Sequence, residues 1–164
     1  MTKEQWCLLD RRFREAVERQ PDLEVLRRLL LGIGGIHLVA PPYPDADLPL
    51  LIDAGFVMGG PVVRRTMTKS ECHRNVAEIW GRKLHGLVGI GTGYSLSDDG
   101  LWRQHSWGLR REGILETTVP RLKYFGVLLQ RVNADAFAMA NLSGACVSRG
   151  RVKTKGRKKR AKSS

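Results

Sequence analysis

The first third of the chain carries apolar residues at the period of a helix. Trp6, Leu9, Phe13 and Val17 recur every three or four positions, which puts one apolar stripe on an amphipathic helix. Thr2 is suited to cap that helix, and Glu4 in its first turn complements the unpaired N–H groups there. Pro21 ends the pattern. Asp22 restarts it as a second helix, with Leu23, Leu26, Leu29 and Leu30 on the apolar side and Gly32, Gly34 and Gly35 as the stop. Pro41, Pro42 and Pro44 make residues 40–47 a loop. Residues 48–63 are apolar but broken by Pro49, Gly55, Gly59, Gly60 and Pro61, which predicts a short helix followed by a turn.

The second half has a different rhythm. Ser70 reads as an N-cap, and Cys72, Val76, Ile79 and Trp80 share roughly one helix face. Strands are predicted over 86–94, 101–109 and 114–119, with Ser97-Asp98-Asp99-Gly100 as a hairpin turn between the first two and Pro120 ending the third. Residues 124–129 form a further short strand. Asn133 opens a last helix through Leu142, with Gly144 closing it. Helices first, then a cysteine-bearing helix packed on an antiparallel β-meander and a short C-terminal helix, give the α+β class.

Composition changes this picture mainly at the C-terminus. The chain has 164 residues, enough for one domain with a core that needs no staples. Its net charge is +12, but nine bases and no acid lie in residues 149–162. Removing those nine leaves only +3 on residues 1–148. The expected organisation is therefore a single domain over 1–148 and a disordered basic tail over 149–164. That tail, with Lys155, Arg157, Lys158, Lys159 and Arg160, suits salt-sensitive contact with nucleic acid. Three cysteines at wide spacing, Cys7, Cys72 and Cys146, form no disulfide framework and read as reduced thiols of a cytoplasmic protein. The chain opens on charged residues instead of a secretory leader, and no apolar run reaches the ~18 residues of a membrane span.

Candidate chemistry concentrates on three residues. Cys72 falls in the first turn of its helix, where the N–H groups and the helix dipole favour a thiolate. His105 sits within a strand, which fixes its direction as a general base requires. Glu116 follows eleven residues later on the next strand, directly or diagonally beside His105, where a carboxylate can orient an imidazole. Taken singly, each has a bland alternative: a small packed thiol, a structural histidine, a surface glutamate. Thr117 and Thr118 are positioned to add hydrogen bonds. His73 points about 100° away from Cys72 around the helix, so it is not expected as the partner base. Asn75, one turn on from Cys72, is placed either to line the same site or, the favoured reading, to be an exposed helix residue. The glycines of Gly89-Ile90-Gly91-Thr92-Gly93 lack the lysine and the following helix of a phosphate loop. Cys72, His73, His85, His105 and Cys146 lack the close pairing of a zinc site, so neither metal nor cofactor is expected.

A cysteine opening a helix, then His105-Ser106-Trp107 on a strand, then Glu116-Thr117-Thr118 on the next, resembles the papain-like cysteine hydrolase superfamily in its broad sense, transglutaminase-like branches included. The likeness covers residues 70–119 and lies in spacing and order. It departs from the pattern at Glu116, where Asp or Asn is usual, and around Cys72, where the glycine–tryptophan neighbourhood is replaced by Glu71-Cys72-His73-Arg74-Asn75. The resemblance implies a thiol protease, amidase or glutamine deamidase with a Cys72–His105–Glu116 triad, acting on a protein or small amide. The competing expectation is a non-enzymatic module that binds nucleic acid or protein through the basic tail and exposed aromatics, with Tyr94, Trp102, Trp107 and Tyr124 as a stacking surface.

Overall fold

The computed structural model describes residues 1–147, with side chains through residue 143. The expected boundary at residue 148 and the basic tail lie outside the described residues. Helix α1 spans Lys3–Arg19 and begins at a reciprocal cap: the Gln5 N–H donates to the Thr2 hydroxyl, and the Thr2 N–H donates to the Gln5 side-chain oxygen. Helix α2 spans Leu23–Ile33 and buries Leu23, Leu26 and Leu30. After the two-residue strand β1, His37–Leu38, comes α3, Leu48–Ala54. Strands β2, Phe56–Met58, and β3, Val62–Arg64, precede helix α4, Cys72–Gly81. Then follow β4, Leu87–Leu96, β5, Leu101–Arg110, β6, Gly113–Glu116, and β7, Lys123–Leu129. Helix α5 closes the order as Val132–Val147 and runs through Gly144, the expected stop.

The class is α+β, with five helices and a mixed, mostly antiparallel sheet among the described residues. Strands β4, β5 and β6 are a meander, as the hairpin signals require. Strand β7 does not extend it. It returns to the far side of β4, giving the order β2-β7-β4-β5-β6-β3, with β1 added in parallel to β5. The sequence pattern misses β1, β2 and β3 because each is two or three residues long, too short to show a period. Their partners also lie far away in sequence, so the pairing is tertiary.

Cross-strand register sorts the two faces. Tyr94 lies opposite Gln104 and Phe125, and Leu96 opposite Trp102. Tyr94, Leu96, Trp102 and Phe125 join Phe13, Leu26, Leu30 and Leu51 in the main core, so α1, α2 and α3 cover one end of this face. Val76 and Ala134 pack with Ile90 at its other end, beneath α4 and α5. The opposite face holds His105 and Trp107. Met58 of β2, Ile114 of β6, Trp107 and Tyr124 form one buried cluster there. Close approach is possible because Gly91 lies under the indole. A Cβ at Gly91 would sit 2.2 Å from the Trp107 ring.

Candidate active site

Cys72 is the first residue of α4, with Glu71 as N-cap. Ser70 is not the cap: its φ of 62° is left-handed, and it turns the chain sharply into the helix. Strain of this kind in a non-glycine residue costs on the order of 1–3 kcal/mol and persists where surrounding structure holds it. Asn75 holds it here. It is buried, against the sequence expectation, because its side-chain amide donates to the Thr68 carbonyl at 2.7 Å. The helix start is thereby tied to the loop before it.

His105 is buried on β5. Its Nε2 lies 2.9 Å from Glu116 Oε2, so the eleven-residue spacing does bring imidazole and carboxylate together across the hairpin. Glu116 is also the last residue of β6, three residues short of the expected strand end. Its Oε1 accepts the Thr118 N–H at 2.8 Å and the Thr118 hydroxyl at 2.9 Å, and this local turn ends the strand. Tyr124 donates its hydroxyl to Oε2 at 3.0 Å. Thr117 takes part through its backbone, where its carbonyl accepts the Met67 N–H; its hydroxyl meets no partner among the described residues. The carboxylate thus accepts two donors on each oxygen. Burial would raise its pKa, yet the hydrogen bond and charge of His105, with the Thr118 donors, bring it down to about 2.

An ionised carboxylate only accepts, so Nε2 of His105 must carry a hydrogen, and Nδ1 is the ring nitrogen that Glu116 does not use. Burial pulls the imidazole pKa down, but Cys72 and Glu116 outweigh it and hold the pKa above its ordinary value. The Cys72 thiol is pushed up by burial and, more strongly, brought down by the His105 ring and by the N–H groups of Ser106 and His73. The two shifts run in the directions that favour a thiolate beside an imidazolium. Cys72 and His105 both line a cleft of about 610 Å³, together with Lys69, Gln104, Arg121 and Leu122 among others.

Sequence reasoning missed two supports. The first is Tyr124, which reaches Glu116 from β7, a strand three places away in the sheet. The second is His73. It does point away from Cys72, but onto Ser106, 2.6 Å from Nδ1, and the Ser106 hydroxyl donates to Thr92 at 3.0 Å. A hydroxyl that gives its proton to Thr92 accepts from His73, so His73 carries its hydrogen on Nδ1. Burial and the neighbouring His105 charge lower its pKa and keep it neutral. The strand alternation of 101–107 was the available signal for Ser106.

The aromatic stacking surface is not there. Tyr94, Trp102, Trp107 and Tyr124 are all buried, because both faces of the sheet are covered. Lys155, Arg157, Lys158, Lys159 and Arg160 lie outside the described residues. Among the described residues no group of His, Cys, Asp and Glu is placed to hold a metal ion, and no helix is long and apolar enough to cross a membrane. Comparison of the chain with protein-family models, with curated proteins and with solved structures finds no match.

Proposed function

We propose that this protein is a cysteine-dependent hydrolase or acyl-transfer enzyme of the thiol protease or amidase type. The observation that carries the reading is the buried His105–Glu116 pair at 2.9 Å, set in the same cleft as a cysteine that opens a helix. In the reaction, the Cys72 sulfur attacks a carbonyl carbon and forms a thioester as the C–N bond breaks. The His105 imidazolium gives its proton to the departing amine. Water, or an acceptor amine, then attacks the thioester; His105 takes the proton of that nucleophile and Cys72 leaves as thiolate. Glu116 touches no substrate. It fixes the ring orientation and stabilises its charged form. The helix start adds its N–H groups and dipole to hold the thiolate. Free thiols at Cys7 and Cys72 suit a reducing, cytoplasmic setting.

Selective alkylation tests this reading. Iodoacetamide at about pH 6 should modify Cys72 well before Cys7, because only the thiolate reacts and an ordinary cysteine is almost wholly protonated there. Equal, slow modification of both would count against a nucleophilic Cys72.

A further inference from the structure

The substrate class can be read from an incomplete strand edge beside the cleft. Along β5, successive residues turn their main-chain groups to opposite sides. The Leu101 carbonyl accepts the Ser97 N–H on the β4 side, and the Trp102 carbonyl accepts the Val39 N–H on the other side. Gly108, also an even residue, pairs with Leu115 of β6. Even residues of β5 therefore face away from β4. At Trp102 that edge is covered by β1, and from Gly108 onward by β6. Between them two residues remain. The N–H of Ser106 is one of the groups that bring the Cys72 thiol down. The N–H and carbonyl of Gln104 meet no main-chain partner among the described residues.

A strand edge left open at one residue, next to His105 and lining the cleft, is the recognition element for an extended backbone. A second observation agrees. Asp99 and Arg103, joined by two hydrogen bonds of 2.8 and 2.6 Å, line both the cleft and a second groove of about 720 Å³. That groove is walled by Trp6 and Leu9 of α1 with Ile36, Val39 and Leu101. Ile36 is 56% exposed there. The two spaces adjoin at the Arg103–Asp99 pair, so a chain lying in the cleft can place an apolar side chain against α1.

We infer that the substrate is an extended polypeptide segment that hydrogen-bonds through its own main chain to Gln104 and seats an apolar side chain in the groove beside α1. This rests on the cysteine-enzyme reading above and narrows it, since a small amide or a lone glutamine side chain would use neither feature. Arg103 is already neutralised by Asp99, so the peptide needs no acid beside it.

The test compares Michael-acceptor probes on the full-length protein. A thiolate adds to the vinyl carbon β to the sulfone, forming the S–C bond, and the α carbon takes a proton. A tripeptidyl vinyl sulfone with apolar side chains should modify Cys72 on the order of tenfold or more faster than methyl vinyl sulfone. N-methylation of the peptide amides should remove most of that gain, and so should Ile36→Glu in the protein, an exposed site whose change leaves the fold intact. Iodoacetamide, which uses neither feature, should modify Cys72 at the same rate in wild type and variant. A peptidyl probe no faster than methyl vinyl sulfone, or a gain insensitive to N-methylation or to Ile36→Glu, overturns the inference while selective iodoacetamide labelling leaves the enzyme reading standing. Loss of that selective labelling in the wild type would instead sink the enzyme reading itself.

Discussion

Glu116 accepts four hydrogen bonds in a place closed to water, so its charge is a structural quantity as well as an orienting one. Its folded pKa of about 2, against the ordinary 4.5, means that ionised Glu116 stabilises the fold above about pH 4.5 and that this contribution, on the order of 3 kcal/mol, is lost as pH falls toward 2. Acid unfolding followed by circular dichroism should show wild type losing stability through that window, and Glu116→Gln should lack that loss while starting less stable. The burial of His105 also changes how its variants must be read. Replacing it by alanine leaves a buried carboxylate short of a donor, at a cost of about 1–3 kcal/mol. His105→Gln keeps a donor toward Glu116 and removes only the base. On an acyl substrate that the wild type turns over, Cys72→Ala should abolish turnover and His105→Gln should come close. Glu116→Gln should do less harm, because it acts through the ring. At this scale the sequence was readable for His105 and Glu116, which lie one hairpin apart. It was silent on Tyr124 and His73, because their partners are fixed by sheet order and by the docking of α4.

The decisive elements are the long strands β4 and β5 and the helix that meets them. Their existence follows from strong local signals: the Ser97-Asp98-Asp99-Gly100 turn sets the register that puts Gly93 opposite His105 and Gly91 opposite Trp107. What those glycines are for was hidden, because a glycine-rich strand reads as a weak strand until the indole above it is known. Gly91→Ala would drive a methyl into the Trp107 ring, which stacks 6.1 Å from His105. Overpacking of this kind costs about 1–3 kcal/mol. The variant should melt several degrees lower and also label more slowly at Cys72, since Trp107 cannot move without disturbing His105. A melting shift with unchanged Cys72 labelling would show that the ring pair is not coupled to the site. The start of α4 was read one residue off. Ser70 has the chemistry of a cap, yet the chain needs a left-handed turn there, and the hydrogen bond from Asn75 to Thr68 secures it.

Over the whole molecule, the α+β class was legible because the helix period of the first third and the hairpins of the second are both strong. The sheet order was not, since β1, β2 and β3 join it through short tertiary pairings, two of them parallel. Charge divides the chain differently from structure: residues 149–162 hold nine bases, with Val152 and Ala161 as their only apolar side chains. A segment with so little apolar surface adds almost nothing to folding free energy. Truncation after residue 148 should leave the melting temperature within about 1 °C, as differential scanning calorimetry would record, because surface changes rarely exceed ~0.5 kcal/mol. It should also flatten the salt dependence of any nucleic-acid binding. A large drop in melting temperature would place the domain boundary further along the chain.

The central claim is that Cys72 and His105 form a thiolate–imidazolium pair. Ultraviolet titration of thiolate absorbance, in full-length protein carrying Cys7→Ser and Cys146→Ser so that Cys72 alone reports, measures it directly. The wild-type pairing should ionise Cys72 well below the ~8.5 of a free thiol. With His105→Gln the opposing effect of burial is left unbalanced, and the midpoint should rise to that value or above it. A Cys72 that ionises at or above ~8.5 in both proteins, with no shift on losing the imidazole, would contradict the account.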